Sequence, residues 1–182
     1  QPAYSMFNAD SVFGGFTVEE LEAEGIPTYQ YDPDKAKSLL AEAGYPNGLD
    51  IGNILCITGS YWEKMSTVFQ ANLADIGVKV GIEMGDSAST RARRYEQQYN
   101  LGTTGTNYTP EASYSYSYFK YLSDEDRATG ERTELGLKNQ VLEDAYQKAL
   151  TEMNRDKRRA AYLEVVRIMQ GEMYSIPTFH KA

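Results

Sequence analysis

The chain has 182 residues, of which 41% are hydrophobic and 24% charged, so it has the length and composition of a folded α/β domain and falls outside the disordered and fibrous classes. Its net charge of −8, from 26 acidic and 18 basic residues, repels a phosphate backbone and argues against a nucleic-acid partner. One cysteine, Cys56, excludes an intrachain disulfide, and no apolar run approaches the roughly 18 residues of a membrane span.

Residues 1–30 contain Gly14-Gly15 and Pro27 with little periodicity, which predicts an irregular arm with one helical turn at Val18–Ala23. Tyr31-Asp32-Pro33-Asp34 then starts a helix, with Asp32 as cap, Pro33 in the first helical position and Asp34 complementing the helix dipole. Ala36, Leu39, Leu40 and Ala43 give that helix an apolar face, and Gly44 closes it before Pro46 and the Asn47-Gly48 turn.

Ile51 to Ile57 is a short apolar run rich in β-branched residues, the mark of a buried strand. Met65, Val68, Phe69, Leu73 and Ile76 share a helical face, and Val78, Val80, Ile82 and Met84 alternate with polar or small residues as a strand does. Strand, helix and strand within about 35 residues is the size of a right-handed βαβ unit. Ser87 caps a polar helix that runs to Gln98, and Leu101–Thr106 reads as a third, shorter strand.

Tyrosines 108, 114, 116, 118 and 121 crowd the next segment, which reads as a loop followed by a turn or two of helix. Such rings suit either a ligand surface or a face buried against another domain. Two amphipathic helices follow. The first carries Leu142, Ala145, Tyr146, Ala149 and Leu150, and the second, capped by Asn154, carries Tyr162, Val165, Val166, Met169 and Met173. The basic run Lys157-Arg158-Arg159 reads as a solvated face.

The inventory of reactive groups is thin. The one imidazole, His180, stands near the end of the chain, and Cys56 sits in an apolar strand, so no Cys–His or Ser–His–Asp site is assembled with assurance. Asp124-Glu125-Asp126 lacks the glycine and spacing of a calcium loop and reads as a polar loop, and Gly102-Thr103-Thr104-Gly105 is not followed by the lysine of a phosphate-binding loop. The sequence therefore predicts no enzyme, no metal and no cofactor.

Several segments together resemble a known family. Tyr31-Asp32-Pro33-Asp34-Lys35-Ala36 through Leu39-Leu40-Ala41-Glu42-Ala43-Gly44-Tyr45-Pro46 is similar to the signature helix of the bacterial extracellular solute-binding proteins that serve oligopeptide, dipeptide and nickel importers. Gln70-Ala71-Asn72-Leu73 through Ile76-Gly77-Val78-Lys79-Val80 resembles the family's next helix and strand. Asp144-Ala145, Asn154-Arg155-Asp156-Lys157-Arg158 and Ile176-Pro177 resemble its C-terminal helices and following strand.

The resemblance, over residues 31–179, implies one lobe of a periplasmic-binding-protein type II fold: an α/β domain with a mixed, mostly parallel sheet flanked by helices. It implies an arm at 1–30 and a single distal lobe at 31–182, cut from a longer protein that also has an N-terminal lobe, a signal peptide or lipid anchor, and a returning C-terminal segment. The implied function is capture of an oligopeptide or related solute between two lobes for an ABC permease in the membrane, outside the cytoplasm. The alternative is an autonomous module that binds another protein through its tyrosine-rich face.

Ligands of open α/β sheets sit beyond the carboxyl ends of the strands. That edge is expected to present Tyr61 and Trp62 after Ser60, and Thr106, Asn107 and Tyr108. For Trp62, a core position against the following helix is an equal alternative. Peptide-binding family members set an acidic residue against the ligand's free amine, and Asn107-Tyr108 stands where Asp-Tyr is expected. An amide lacks the charge a buried ammonium needs, which turns the expectation toward sugars or capped peptides.

Overall fold

The computed structural model describes residues 7, 11, 13–103 and 116–178. In chain order the elements are α1 (Val18–Ala23), α2 (Pro33–Glu42), β1 (Leu49–Ile57), α3 (Tyr61–Asp75), β2 (Val78–Gly85), α4 (Ser87–Tyr95), β3 (Leu101–Gly102), α5 (Tyr116–Phe119), α6 (Asp124–Ala128), α7 (Gln140–Thr151) and α8 (Arg155–Gly171). They fall into two compact units. One is the continuous segment Gln30–Gly105, and the other joins Gln1–Tyr29 to Thr106–Ala182.

The Gln30–Gly105 unit is built on a sheet in the order β2-β1-β3, and its described strands are all parallel. The expected βαβ unit is β1-α3-β2, with Ile54 opposite Ile82, Cys56 opposite Met84 and Ile57 opposite Gly85. Alternation puts Cys56, Val78 and Val80 on the face toward α3, where the Ser66 hydroxyl lies beside the Cys56 thiol and the Gln70 side chain donates to the Val80 carbonyl at 2.6 Å. The opposite face meets α4, whose Arg93 guanidinium pairs with Glu83 through both carboxylate oxygens. The register slips between Asp50 and Asn53. There Gly52 adopts a φ of +80°, its amide donates to Asp50, and a Cβ would lie 2.3 Å from Asn100 Oδ1.

Two helices of this unit differ from expectation. The cap of α4 is Asp86, one residue before the expected Ser87, because its carboxylate accepts from the amides of both Ala88 (2.9 Å) and Ser89 (3.0 Å) and brings negative charge to the helix start. The same helix stops at Tyr95, short of the expected Gln98, and Gln97 turns to a φ of +58°. Helix α2 begins at Pro33 as expected, with Asp32 accepting from the Lys35 amide at 2.9 Å. Yet it buries no residue, and Leu39 on its apolar face is 50% exposed. Local capping is enough to define this helix, whereas burial of its face depends on what packs there.

The second unit has a helical core. Leu142, Tyr146 and Ala149 of α7 meet Ala161, Tyr162, Val165, Val166 and Met169 of α8, joined by Phe7, Phe16, Leu21 and Ile26 from the N-terminal arm and by Phe119. Phe7 makes T-shaped contacts with Tyr162 at 5.6 Å and with Tyr146 at 6.4 Å between ring centroids. Helix α1 forms where one turn was expected, and a reciprocal capping box between Thr17 and Glu20 starts it. Asn139 and Asn154 cap α7 and α8.

Residues 124–126, expected as a polar loop, form α6 instead. Ser123 and Asp126 bond to each other's backbone amides, a short-range signal hidden by the acidity of the segment. The basic run of α8 is also more than a solvated face. Arg158 lies 4.6 Å from the Phe13 ring and Arg159 lies 4.2 Å from the Phe16 ring, and Arg159 also donates to the Gly15 carbonyl and pairs with Glu20 at 2.7 Å. These partners are over 130 residues away in sequence, so only the folded chain reveals them.

Removing the Arg159 side chain by Arg159→Ala is expected to cost about 1 kcal/mol in urea denaturation, most of it from the ring contact and the carbonyl bond, because the half-exposed ion pair itself is worth little. Glu83, Asp86, Asp124 and Asp126 are all held below the usual carboxylate range, Glu83 by its bond to Arg93, Asp86 by the Ser89 amide, Asp124 by Lys138 and Asp126 by Ser123. Depressed carboxylates stabilise the fold above their unfolded value of about 4 and lose that contribution as pH falls through the lower folded values. Denaturation midpoints measured from pH 6 down to pH 3 are therefore expected to fall steadily below about pH 4.

Candidate functional site

At the carboxyl edge of the sheet, β1 and β2 end side by side, and the Thr58 amide donates to the Gly85 carbonyl at 2.9 Å. The chain turns at Gly59, φ +71°, and its amide donates to Glu63 Oε2 at 2.8 Å. Ser60 takes the cap position of α3, but its hydroxyl turns back to the Ile57 carbonyl and makes no side-chain cap. Tyr61 and Trp62 therefore open the helix directly at the edge of the sheet.

Their rings lie 4.3 Å apart between centroids, with 35° between planes. Tyr61 is 46% exposed and Trp62 is half-buried. Trp62 is thus neither a fully buried core residue nor a fully exposed one. Partial burial raises the Tyr61 hydroxyl above its ordinary value, so it stays neutral near pH 7. Adjacent rings with a neutral hydroxyl make a rigid amphipathic surface, suited to apolar side chains or the face of a sugar.

The structure brings Tyr61 and Trp62 together, while Thr106, Asn107 and Tyr108 lie outside the described residues. Sequence reasoning missed two groups near this edge. Asp86 directly follows β2, and Ser89 also donates its hydroxyl to Asp86 Oδ2 at 2.8 Å, which leaves an exposed, ionised carboxylate where β2 ends. Arg94, buried within α4, donates to the Thr103 carbonyl at 2.7 Å and so fixes the end of β3. An acid immediately after an alternating strand was the available signal for Asp86. Arg94 looked like any other residue of a polar helix.

The tyrosine-rich segment is partly described. The rings of Tyr116 and Tyr146 are 5.4 Å apart, and Tyr116 and Tyr118 pack against the helical core. The Tyr116 hydroxyl donates to Glu143, accepts from Gln147 at 2.9 Å, and is pushed far above its usual range by burial and by the Glu143 carboxylate. These two side chains serve internal packing. Among the described residues no three His, Cys, Asp or Glu side chains gather as metal ligands, and no helix is long and apolar enough to cross a membrane. Burial raises the Cys56 thiol and keeps it protonated.

Residues 1–127 match the family model described as bacterial extracellular solute-binding proteins, family 5 middle. The chain belongs to this family. Among curated relatives it is similar to heme-binding protein A of Haemophilus influenzae, 38% identical over 84 residues that cover 44% of this chain and 15% of the relative. It is also similar to the nickel-binding periplasmic protein of Escherichia coli, 33% identical over 103 residues that cover 48% of this chain and 20% of the relative. Among solved structures, the dipeptide-binding protein of Pseudoalteromonas sp. SM9913 in complex with Met-Leu aligns over 98% of this chain and 34% of its own, with a TM-score of 0.80 and 23% identity. HbpA2 of Haemophilus parasuis aligns over the same shares with a TM-score of 0.78 and 22% identity. The chain thus spans a fifth or less of these curated relatives and about a third of these solved proteins. The likeness establishes the α/β periplasmic-binding-protein fold.

Trp62 is the chain's single tryptophan, so its fluorescence reports this edge alone. Tyr61→Ala is expected to shift Trp62 emission to longer wavelength by opening it to water, with a loss of stability below about 1 kcal/mol, as for an exposed position. Unchanged emission would show that the two rings do not shield each other.

Proposed function

We propose that this chain is the ligand-binding distal lobe, residues 31–182 preceded by an arm, of an ABC-transporter substrate-binding protein that captures an oligopeptide or related solute outside the cytoplasm. Its membership of the family 5 solute-binding proteins carries this reading. The protein closes on its ligand between this lobe and an N-terminal lobe, and an ABC permease accepts the closed form. No bond is broken in the cycle.

We assign ligand contacts to Tyr61 and Trp62, which follow β1, and to Thr106, Asn107 and Tyr108, which come after β3 in the sequence. The paired rings of Tyr61 and Trp62 support the first assignment, and the sequence order of the second segment, after the parallel strand β3, supports the other. Relatives are named for binding heme, nickel and glutathione, chemically unlike solutes, so the ligand is argued from site residues and not from the fold. Asn107 has no charge to offer an ammonium group, which favours ligands without a free amine. The alternative of a tyrosine-faced interaction module loses support from the inward packing of Tyr116 and Tyr118.

The test uses the full-length protein from the encoding gene, titrated calorimetrically with a free-amine dipeptide, its N-acetylated form and a neutral disaccharide. Saturable binding of at least one solute is expected, weakened about tenfold or more by Trp62→Ala, a loss typical of a buried aromatic contact. Asn107→Asp is expected to improve affinity for the free-amine dipeptide and leave the disaccharide unhelped. Equal responses to all three solutes would remove Asn107 from the site, and failure of every solute, with no transport defect on deletion of the gene, would defeat the proposal.

A further inference from the structure

We infer that the chain contains two separately opening cores, and that the sheet unit Gln30–Gly105 opens before the helical unit that flanks it in sequence. The hydrophobic cluster supports this most directly: each of its buried members belongs to Gln1–Tyr29 or to Thr106–Ala182, and none belongs to the intervening segment. Among the described residues, the helical core is thus assembled from its own unit. It includes two fully buried tyrosines and edge-on aromatic contacts from Phe7, which connect the N-terminal arm to α7 and α8 across most of the chain's length.

The sheet unit is more lightly built. Among its described residues, the buried hydrophobic side chains are Ile54, Leu55, Cys56, Val78 and Val80. Helix α2 adds no buried residue, and α3 buries only Ser66. Gly52, Gly81, Gly85 and Gly102 occupy strand positions, where they contribute no side chain to packing and raise the entropy lost on folding. Few buried apolar contacts per residue mark the regions that open at low free energy. Because Gln30–Gly105 is one continuous segment, its chain can unfold without withdrawing any strand or helix from the other core.

Tyr61 and Trp62 lie in the less stable unit. If the proposed function holds, a solute that engages them stabilises that unit selectively, since binding to a folded state raises the free energy of opening it. The inference about the two cores does not depend on that function and is tested without ligand.

Native-state hydrogen exchange on the full chain, followed residue by residue at rising urea below the global midpoint, is the deciding experiment. Amides of β1, β2 and α3 are expected to exchange through one shared opening, while those of α7 and α8 remain protected. Ile54→Ala is expected to accelerate exchange in β1, β2 and α3 by about 30-fold or more and leave α7 and α8 unchanged, and Val165→Ala should do the reverse. If Ile54→Ala unfolds the sheet unit outright, helical circular dichroism and protection of α7 and α8 should persist. Equal acceleration in both units, loss of all protection together, or earlier exchange in α7 and α8 would each overturn the inference.

Discussion

Parallel strands cannot be joined by a tight turn, and this constraint organises the half of the molecule that carries the candidate site. To place β2 alongside β1 in the same direction, the chain must cross over, and it does so through α3. The crossover leaves both strands with their carboxyl ends at one edge, so whatever follows β1 and β2 in sequence emerges together in space. Tyr61, Trp62 and Asp86 owe their positions to this geometry. The Thr58–Gly85 backbone bond fixes the two ends in line, and the Arg94–Thr103 bond does the same where β3 ends.

The helical unit answers a different demand. A long apolar face on α8 and another on α7 require a third layer, and the N-terminal arm provides it with Phe7, Phe16, Leu21 and Ile26. Arginines of α8 then stack on Phe13 and Phe16, so a stretch that is polar in sequence holds the outer side of the arm in place. This division of labour accounts for the tyrosines as well. Tyr146 and Tyr162 are core residues, Tyr116 links the core to Glu143 and Gln147, and Tyr61 is exposed at the sheet edge beside the half-buried ring of Trp62.

Much of this was legible in the residues. The Asp32-Pro33 start, the Gly44 stop, the alternation from Val78 to Met84 and the apolar stripes of α7 and α8 are local patterns, and local patterns predict the elements they produce. Where expectation and structure part, the competing effect was still short-range but finer than the pattern used. Asp86 displaced Ser87 because a carboxylate can accept from two amides, and the Ser123–Asp126 box made a helix from a run that looked like loop. Tyr61 and Trp62 are legible as a pair because a strand end and a following helix are both visible in the sequence, whereas their ring contact is not.

The sequence by itself determined the element order, the βαβ plan and the family, because hydrophobic period, capping residues and motif spacing are properties of neighbouring positions. Tertiary structure alone decided which faces are covered. The apolar stripe of α2 promised burial, yet none of its residues is fully buried, and the basic run of α8 promised solvent and holds two phenylalanines. Burial and cation–ring contacts join residues far apart along the chain, and a pattern read over a few turns carries no record of a partner more than a hundred positions away.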